Sequence, residues 1–463
     1  MSDQERPLDP LFDPRTVAVA GASNDESKKG HLVLRNLLDT FPGTVYPVHP
    51  TESTIVGLAA HRSIAEVPGT IDLLIPLIPA AGLLPLVEAC PPGKVKILLA
   101  IPSGFGEVSR DGEDLEARLV NAARVRGMRV VGPNTLGATN WNRSLNASLA
   151  PPLPAGRGVL SVVTQSGGFG MAVYMYAVEH GLEVAKFCDL GNTADVSIAE
   201  VLAHYKHDSD TGIVGAFLES HPEPVASSLA DVAHTKPVIV TSLGHSPAGR
   251  RATLAHLGPT PGSYPVSPPP VANVVIAETG LEILEIAKAL TWQPLPRGNR
   301  VAILTGSGGI GIELVDLCIG SGLEVPELSD ELQERLRPHL PSFAGLRNPV
   351  DLTPAWPDYP VMYPPLMKEL LDSTEIDSLI VTVIDMATAL PALMEAVVSS
   401  VQEHRTESAA PKPVLVYWVA PPGRRRHRQM LQEAGVPCYS STATIARVAS
   451  ALTRLSPPTE PIS

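Results

Sequence analysis

Cysteine is scarce in this 463-residue chain: Cys90, Cys188, Cys318 and Cys438 stand far apart, with no Cys-x-x-Cys pair or other metal-ligand spacing. That excludes a disulfide scaffold and a zinc module, and fits buried thiols in a reduced, cytoplasmic protein without a metal site. A long apolar run is missing too. The most apolar stretch, Leu73 to Val87, is interrupted by Pro76, Pro79, Gly82 and Pro85, so it reads as a buried strand and the start of a helix, not a membrane span. The first residues, Met-Ser-Asp-Gln-Glu-Arg, lack the basic-then-apolar order of a secretion signal. Positive charge is short as well, and a net charge of −13 argues against nucleic acid as a bulk electrostatic partner. Phosphate-bearing small molecules stay open, because local amides and lysines bind them whatever the total charge. No unit of about 20–50 residues repeats, which excludes a solenoid.

What is present is an ordinary globular balance, 44% hydrophobic and 18% charged, with 47 prolines spread through loops. The length calls for about three domains. Over residues 1–150, strand candidates Thr16–Ala20, Thr44–Val48, Ile71–Ile78, Val95–Ile101 and Met128–Val131 alternate with helices such as His31–Leu38 and Gly112–Val125. A second set, residues 151–292, holds strands Gly158–Thr164, Ile213–Leu218 and Pro237–Thr241 and a helix Glu282–Leu290. After the proline-punctuated linker Thr291–Gly298, residues 299–463 hold strands Arg300–Thr305, Leu379–Ile384 and Pro413–Trp418 and a closing helix Thr442–Leu455. Strand–helix alternation at this spacing predicts an α/β protein of three doubly wound parallel-sheet domains.

Chemistry is expected where strands run into glycine turns. Gly21-Ala-Ser23 opens a turn that reaches Lys28-Lys29-Gly30 and a helix, a place for a phosphate. It lacks the G-x-G-x-x-G spacing, and strand two ends Tyr46-Pro-Val-His-Pro50 without an acid for a ribose, so NAD is disfavoured there. Lys28 and Lys29 read equally as phosphate neutralisers or as a solvated pair. The loops Ile101–Glu107 and Gly132–Gly137 fall at strand carboxyl ends, the ligand-binding edge of such sheets. Gln165-Ser166-Gly167-Gly168 joins an apolar strand to the helix Phe169–His180, a geometry that holds an anion on backbone amides. Glu219, at another strand end, is placed to fix a histidine tautomer, or is an ordinary surface acid.

His256, between Ala255 and Leu257-Gly258, is read as lying on a mobile loop. An imidazole there can attack phosphorus, hold the phosphoryl group and pass it on; the plainer reading is a solvated histidine. Gly306-Ser-Gly308-Gly-Ile-Gly311 is a literal G-x-G-x-x-G after a strand, so a dinucleotide site stands beside a purely structural turn. Arg424-Arg-Arg-His-Arg428 reads as a solvated helix face.

In this order the segments resemble the α-type part of ADP-forming (NDP-forming) acyl-CoA synthetases, within the succinyl-CoA synthetase superfamily. The resemblance runs from about Leu11 to Leu455, through Gly21-Ala-Ser, Tyr46-Pro-Val, Ser103-Gly-Phe, Gly132-Pro-Asn, Gln165-Ser-Gly, Leu190-Gly-Asn192-Thr-Ala-Asp195-Val, Leu218-Glu219-Ser and Asn348-Pro-Val-Asp351-Leu. It implies a Rossmann-like domain that binds coenzyme A through Gly21, Ser23, Lys28, Ser103 and Asn134, followed by two flavodoxin-like domains. It implies His256 as the phosphorylated residue, Glu219 holding its ring, and Gln165, Ser166, Gly167 and Gly168 cradling phosphate. It also makes the third-domain glycines structural.

The implied reaction is acyl-CoA + ADP + phosphate ⇌ carboxylic acid + CoA + ATP, through acyl phosphate and phosphohistidine. ATP/ADP with Mg would sit on an ATP-grasp β-type subunit, since no part of this sequence resembles that module. The resemblance thus implies a homo- or hetero-oligomer acting on a small carboxylic acid or its acyl-CoA. Three positions depart from the family: Leu257-Gly-Pro-Thr-Pro261 follows the histidine where the family has Thr-Gly-Ala-Leu-Ala, Thr135 replaces a cysteine, and Ile310 a proline. The run Tyr264–Pro270 is expected to forbid the family's helix there. A non-phosphorylating CoA- or acyl-CoA-binding subunit, or an ATP-independent acyl transferase, is therefore the alternative.

Overall fold

In the computed structural model the described residues are 7–152, 156–219, 224–257 and 271–455, with 224, 254, 256 and 257 described by backbone alone. They form two compact units, one reaching to Ile283 and one starting at Leu284. All four cysteines are buried and free.

The first unit opens with β1 (Thr16–Ala20), β2 (Thr44–Val48), β3 (Ile71–Pro76), β4 (Val95–Leu99) and β5 (Arg129–Val131), all parallel in the order β2-β1-β3-β4-β5. Alternation decides which layer each side chain joins. Val17, Val19, Leu73 and Ile75 enter one apolar cluster, while Ala18, Ala20, Leu74 and Leu98 enter another on the opposite face. Helix α1 (Lys29–Thr40) follows β1 and α2 (Arg110–Val125) precedes β5. Strand order reverses at β1, so the crevice between the carboxyl ends of β1 and β3 is where such a sheet takes a ligand.

The second sheet belongs to the same unit. Its parallel strands are β8 (Leu160–Thr164), β9 (Val184–Asp189), β10 (Ile213–Leu218), β11 (Val238–Ser242) and β12 (Val274–Ile276). A hairpin, β6 (Gly137–Asn140) with β7 (Leu145–Ser148), extends it antiparallel beside β9, giving the order β12-β11-β10-β8-β9-β6-β7. The chain thus passes directly from the loop after β5 into the second sheet. The apolar cluster of Val17 and Leu73 continues through Val131, Ala138, Val163, Cys188 and Val214, one core under both sheets. Helix α3 (Gly167–His180) follows β8, and α4 (Pro247–Leu257) follows β11.

The second unit repeats the first topology. Strands β13 (Val301–Thr305), β14 (Val350–Asp351), β15 (Ser378–Ile384), β16 (Val414–Val419) and β17 (Cys438–Tyr439) are parallel in the order β14-β13-β15-β16-β17. Helix α5 (Gly308–Gly320) follows β13. The expectation of parallel-sheet α/β domains is met, with strand limits within two residues of those read from sequence for most elements.

Candidate functional site

The crevice at β1 is built by glycine. Gly21 takes a φ of +82°, and a β-carbon there would stand 2.6 Å from the Leu77 carbonyl oxygen and 2.8 Å from Ile78 Cγ2. Gly30 packs against the Gly21 carbonyl so closely that any side chain would collide with it. The two glycines therefore let α1 start directly over the turn. Within that turn the Asp25 amide donates to Ser23 Oγ at 3.1 Å, and Asp25 accepts from Ser27. Lys28 is the exposed residue just ahead of α1, with no side-chain cap on the helix. Asn24 ties the turn to the hairpin around residues 54–59, donating to the Thr54 carbonyl and accepting from the Val56 amide. Three predicted residues, Gly21, Ser23 and Lys28, share this one turn.

Ser103 and Asn134 lie on neighbouring loops along the same edge. Ser103 is exposed, and the Asn134 amide donates to the Pro102 carbonyl at 2.9 Å. Gly104 reaches back to Ala80, in the loop after β3. The β1, β3, β4 and β5 loops thus form one continuous rim, as expected for a nucleotide-type ligand.

The segment Leu190–Val196 joins this rim to the second sheet. Its amides at Asn192, Ala194 and Val196 donate to the carbonyls of Pro133, Gly132 and Val130. Gly191, at φ +48°, sits against the Pro133 and Asn134 carbonyls with no room for a side chain. Asp195 binds Arg129 at 2.9 Å and Arg124 at 3.2 Å, and takes the Val130 amide. Asn192 donates to both Glu107 (2.7 Å) and Glu116 (2.8 Å) and accepts from Asn134 Nδ2 at 3.3 Å. Burial pushes the Glu107 carboxyl up, but Asn192 and the Gly104 amide outweigh it and hold it below the usual range. Burial wins at Glu116, which is raised.

The second focus is the start of α3. Ser166 caps the helix, its Oγ accepting the Phe169 amide, which leaves the amides of Gly167 and Gly168, without partners inside the helix, to meet an anion. Gln165 has two anchors: Nε2 donates to Thr193 Oγ1 at 3.2 Å, and Oε1 accepts the Glu219 amide at 3.2 Å. Glu219 is buried at the end of β10, the strand beside β8. The predicted phosphate loop and the predicted acid are therefore brought together, and Thr193 and Asn192 link them to Asn134 on the first rim.

His256 departs from expectation in its backbone. It lies in the last turn of α4, not on a free loop. Ser246 Oγ accepts the Gly249 amide at 2.9 Å and Pro247 occupies the first helical position, both helix-start devices. The helix begins at the carboxyl end of β11, next to β10 and Glu219. The imidazole of His256 and the proline-rich residues 258–270 lie outside the described residues.

Asp189 is a site residue that sequence reading missed. It closes β9 with no solvent exposure, and its carboxylate takes the Leu136 and Gly191 amides. Burial pushes its pKa up to about 6, with Glu219 adding to the rise. Thr135, at the family's cysteine position, donates its hydroxyl to the Asp189 carbonyl.

In the second unit Gly306 faces the Tyr359 hydroxyl, which fills the space a side chain would need and donates to the Thr353 carbonyl at 2.6 Å. Gly311 packs on Pro349 and Thr305. These glycines serve packing. Among the described residues no group of three or more His, Cys, Asp or Glu could hold a metal ion, and no helix is long and apolar enough to cross a membrane.

A rim of strand-end loops beside a helix start with amides open to an anion suits a phosphate-bearing ligand. Three family descriptions match in sequence: a CoA binding domain over residues 15–141, a succinyl-CoA ligase like flavodoxin domain over 157–290 and a ligase-CoA domain over 301–454. The acetate–CoA ligase [ADP-forming] II subunit alpha of Pyrococcus furiosus is 32% identical over 96% of this chain and 97% of its own. The acetate–CoA ligase [ADP-forming] I of Archaeoglobus fulgidus is 32% identical over 74% of this chain but only 50% of its own. Among solved structures, the Ca. Korarchaeum cryptofilum dinucleotide forming acetyl-coenzyme A synthetase 1, in complex with phosphate and ADP, superposes with a TM-score of 0.85 at 29% identity. That match covers 97% of this chain and 96% of its own. The chain belongs to the ADP-forming acyl-CoA synthetase family as an α-type chain, a ligase using CoA and a nucleotide, with a partner subunit implied.

Proposed function

We propose that the rim of Gly21, Ser23, Lys28, Ser103 and Asn134 binds coenzyme A, and that the loop Gln165–Gly168 receives phosphate. The supporting observation is the hydrogen-bonded path Asn134–Asn192, Thr193–Gln165–Glu219, which joins these two groups of residues along one edge. In this reading phosphate displaces CoA from the acyl-CoA, giving acyl phosphate. His256 then takes the phosphoryl group, releasing the carboxylic acid, and ADP takes it from His256 to give ATP. Each step exchanges one bond to phosphorus or carbonyl carbon for another, splitting a hard transfer in two. Amides at the α3 start stabilise the charge on the transferring group, and Glu219 orients the imidazole and favours its charged form.

An ATP-grasp partner chain, carrying the nucleotide with Mg, completes the reaction. The double-length Archaeoglobus relative supports this, since this chain matches half of it. The names of the relatives favour acetate or another small carboxylic acid as substrate. The test is reconstitution with an ATP-grasp chain: ADP- and phosphate-dependent ATP formation from acetyl-CoA, with release of CoA, should appear with wild type and vanish with His256→Asn. Turnover by His256→Asn at the wild-type rate contradicts the reading, and CoA binding by wild type without ATP formation favours an acyl-CoA protein that does not phosphorylate itself.

A further inference from the structure

Asp189 divides its carboxylate between two loops. Oδ2 accepts the Leu136 amide at 2.6 Å and Oδ1 the Gly191 amide at 3.1 Å. A third loop lies against it, because a β-carbon on Gly167 would stand 3.4 Å from Oδ2. One buried acid therefore touches the loop that carries Asn134, the segment 190–196 and the first residue of the phosphate-loop helix. Among the described residues no cation stands within ion-pair distance of it. The charged group facing it is Glu219, from the end of β10, and the Cys188 thiol is its titratable neighbour in β9. What stabilises its charge is the pair of amides, with the Thr135 hydroxyl of the same loop adding to them, so the charge and the loop positions depend on each other.

We propose that Asp189 is a positioning residue of the ligase: its ionised carboxylate holds the Gly132–Gly137 loop in register with the phosphate loop, and loss of that charge loosens the grip on coenzyme A. The inference rests on the assignment of the first rim to coenzyme A. Two independent features of the geometry set its consequences. The Leu136 amide lies two residues from Asn134, so the effect falls on CoA. The Gly191 amide lies beside Asn192, which binds Asn134 directly, so both anchors act on the same side chain. Since burial brings the carboxyl close to neutrality, at about 6, CoA affinity should fall as pH drops through that value.

The experiment is the CoA dissociation constant of the reconstituted holoenzyme by calorimetry, from about pH 5 to about pH 8. It compares wild type with Asp189→Asn, and with Asp189→Ser should the asparagine variant fail to fold. Ionisation of the CoA phosphates is common to all three proteins, so the difference between curves reports Asp189. The neutral variants should bind CoA about tenfold more weakly above pH 7 and lack the extra weakening that wild type shows on acidification. Superimposable curves overturn the proposal while leaving the CoA assignment intact. Failure of wild type to bind CoA overturns that assignment, and this inference with it.

Discussion

The side-chain carbonyl of Gln165 accepts the backbone amide of Glu219 at 3.2 Å. That bond adds to the strand pairing in holding the end of β10 against the proposed phosphate loop at the end of β8, while the other end of the same side chain reaches Thr193. Gln165 is thus a spacer between the amides proposed to bind phosphate and the acid proposed to orient His256.

Removing the spacer should separate phosphoryl transfer from CoA binding. Gln165→Ala is expected to slow phosphoenzyme formation about tenfold or more, the loss typical of one misplaced group, with the CoA dissociation constant unchanged. Rapid-quench labelling beside CoA titration reads both quantities. An equal loss in both would mean that the variant has disturbed the whole edge.

The pH dependence of stability carries a definite sign at Asp189. Its folded pKa is raised from 3.8 to about 6, so the folded state binds the proton more tightly than the unfolded state does. The carboxyl's favourable contribution is complete below about pH 4 and is lost as pH rises through about 6. Wild-type stability relative to Asp189→Asn should therefore fall by ~2–3 kcal/mol between about pH 4 and about pH 7. Melting temperatures of the two proteins across that range check the direction. A buried charge that costs stability yet positions a site is a common exchange at functional residues.

In the second unit the Tyr359 hydroxyl stands where Gly306 has no side chain. Gly306→Ala should destabilise by ~1–3 kcal/mol through overpacking, and most of that cost should disappear in a Tyr359→Ala background. The double-mutant cycle, measured by denaturant unfolding of the second unit's signal, gives the coupling. NAD(H) titration should show no binding, because the glycines accommodate a tyrosine and a proline.

Much of this was legible from sequence. Apolar strands ending in glycine turns marked β1, β8 and β13 almost to the residue, since a buried parallel strand and a sharp turn into a helix each leave a strong local signal. The pairing of Gln165 with Glu219 also followed, because both sit at strand ends of one sheet. What escaped depends on tertiary pairing. The hairpin Gly137–Ser148 reads as a continuation of the first domain, yet it pairs antiparallel with β9. Asp189 looks like any acid after a strand, and only the converging amides of Leu136 and Gly191 mark it out. His256 reads as a loop residue from its flanking small residues and glycine, although Ser246-Pro247 followed by Ala-Gly-Arg-Arg-Ala-Thr-Leu-Ala carries a helix-start signal.

The central claim is phosphoryl transfer through His256, and the most direct measurement is the chemical identity of the phosphoenzyme. Holoenzyme reconstituted with an ATP-grasp chain is incubated with radiolabelled ATP and Mg, digested, and mapped by mass spectrometry under alkaline conditions. The account predicts one acid-labile, base-stable phosphoryl group on His256, discharged by adding a carboxylic acid with CoA, and none in His256→Asn. Label on another residue, or turnover of the holoenzyme without any phosphohistidine, would contradict it.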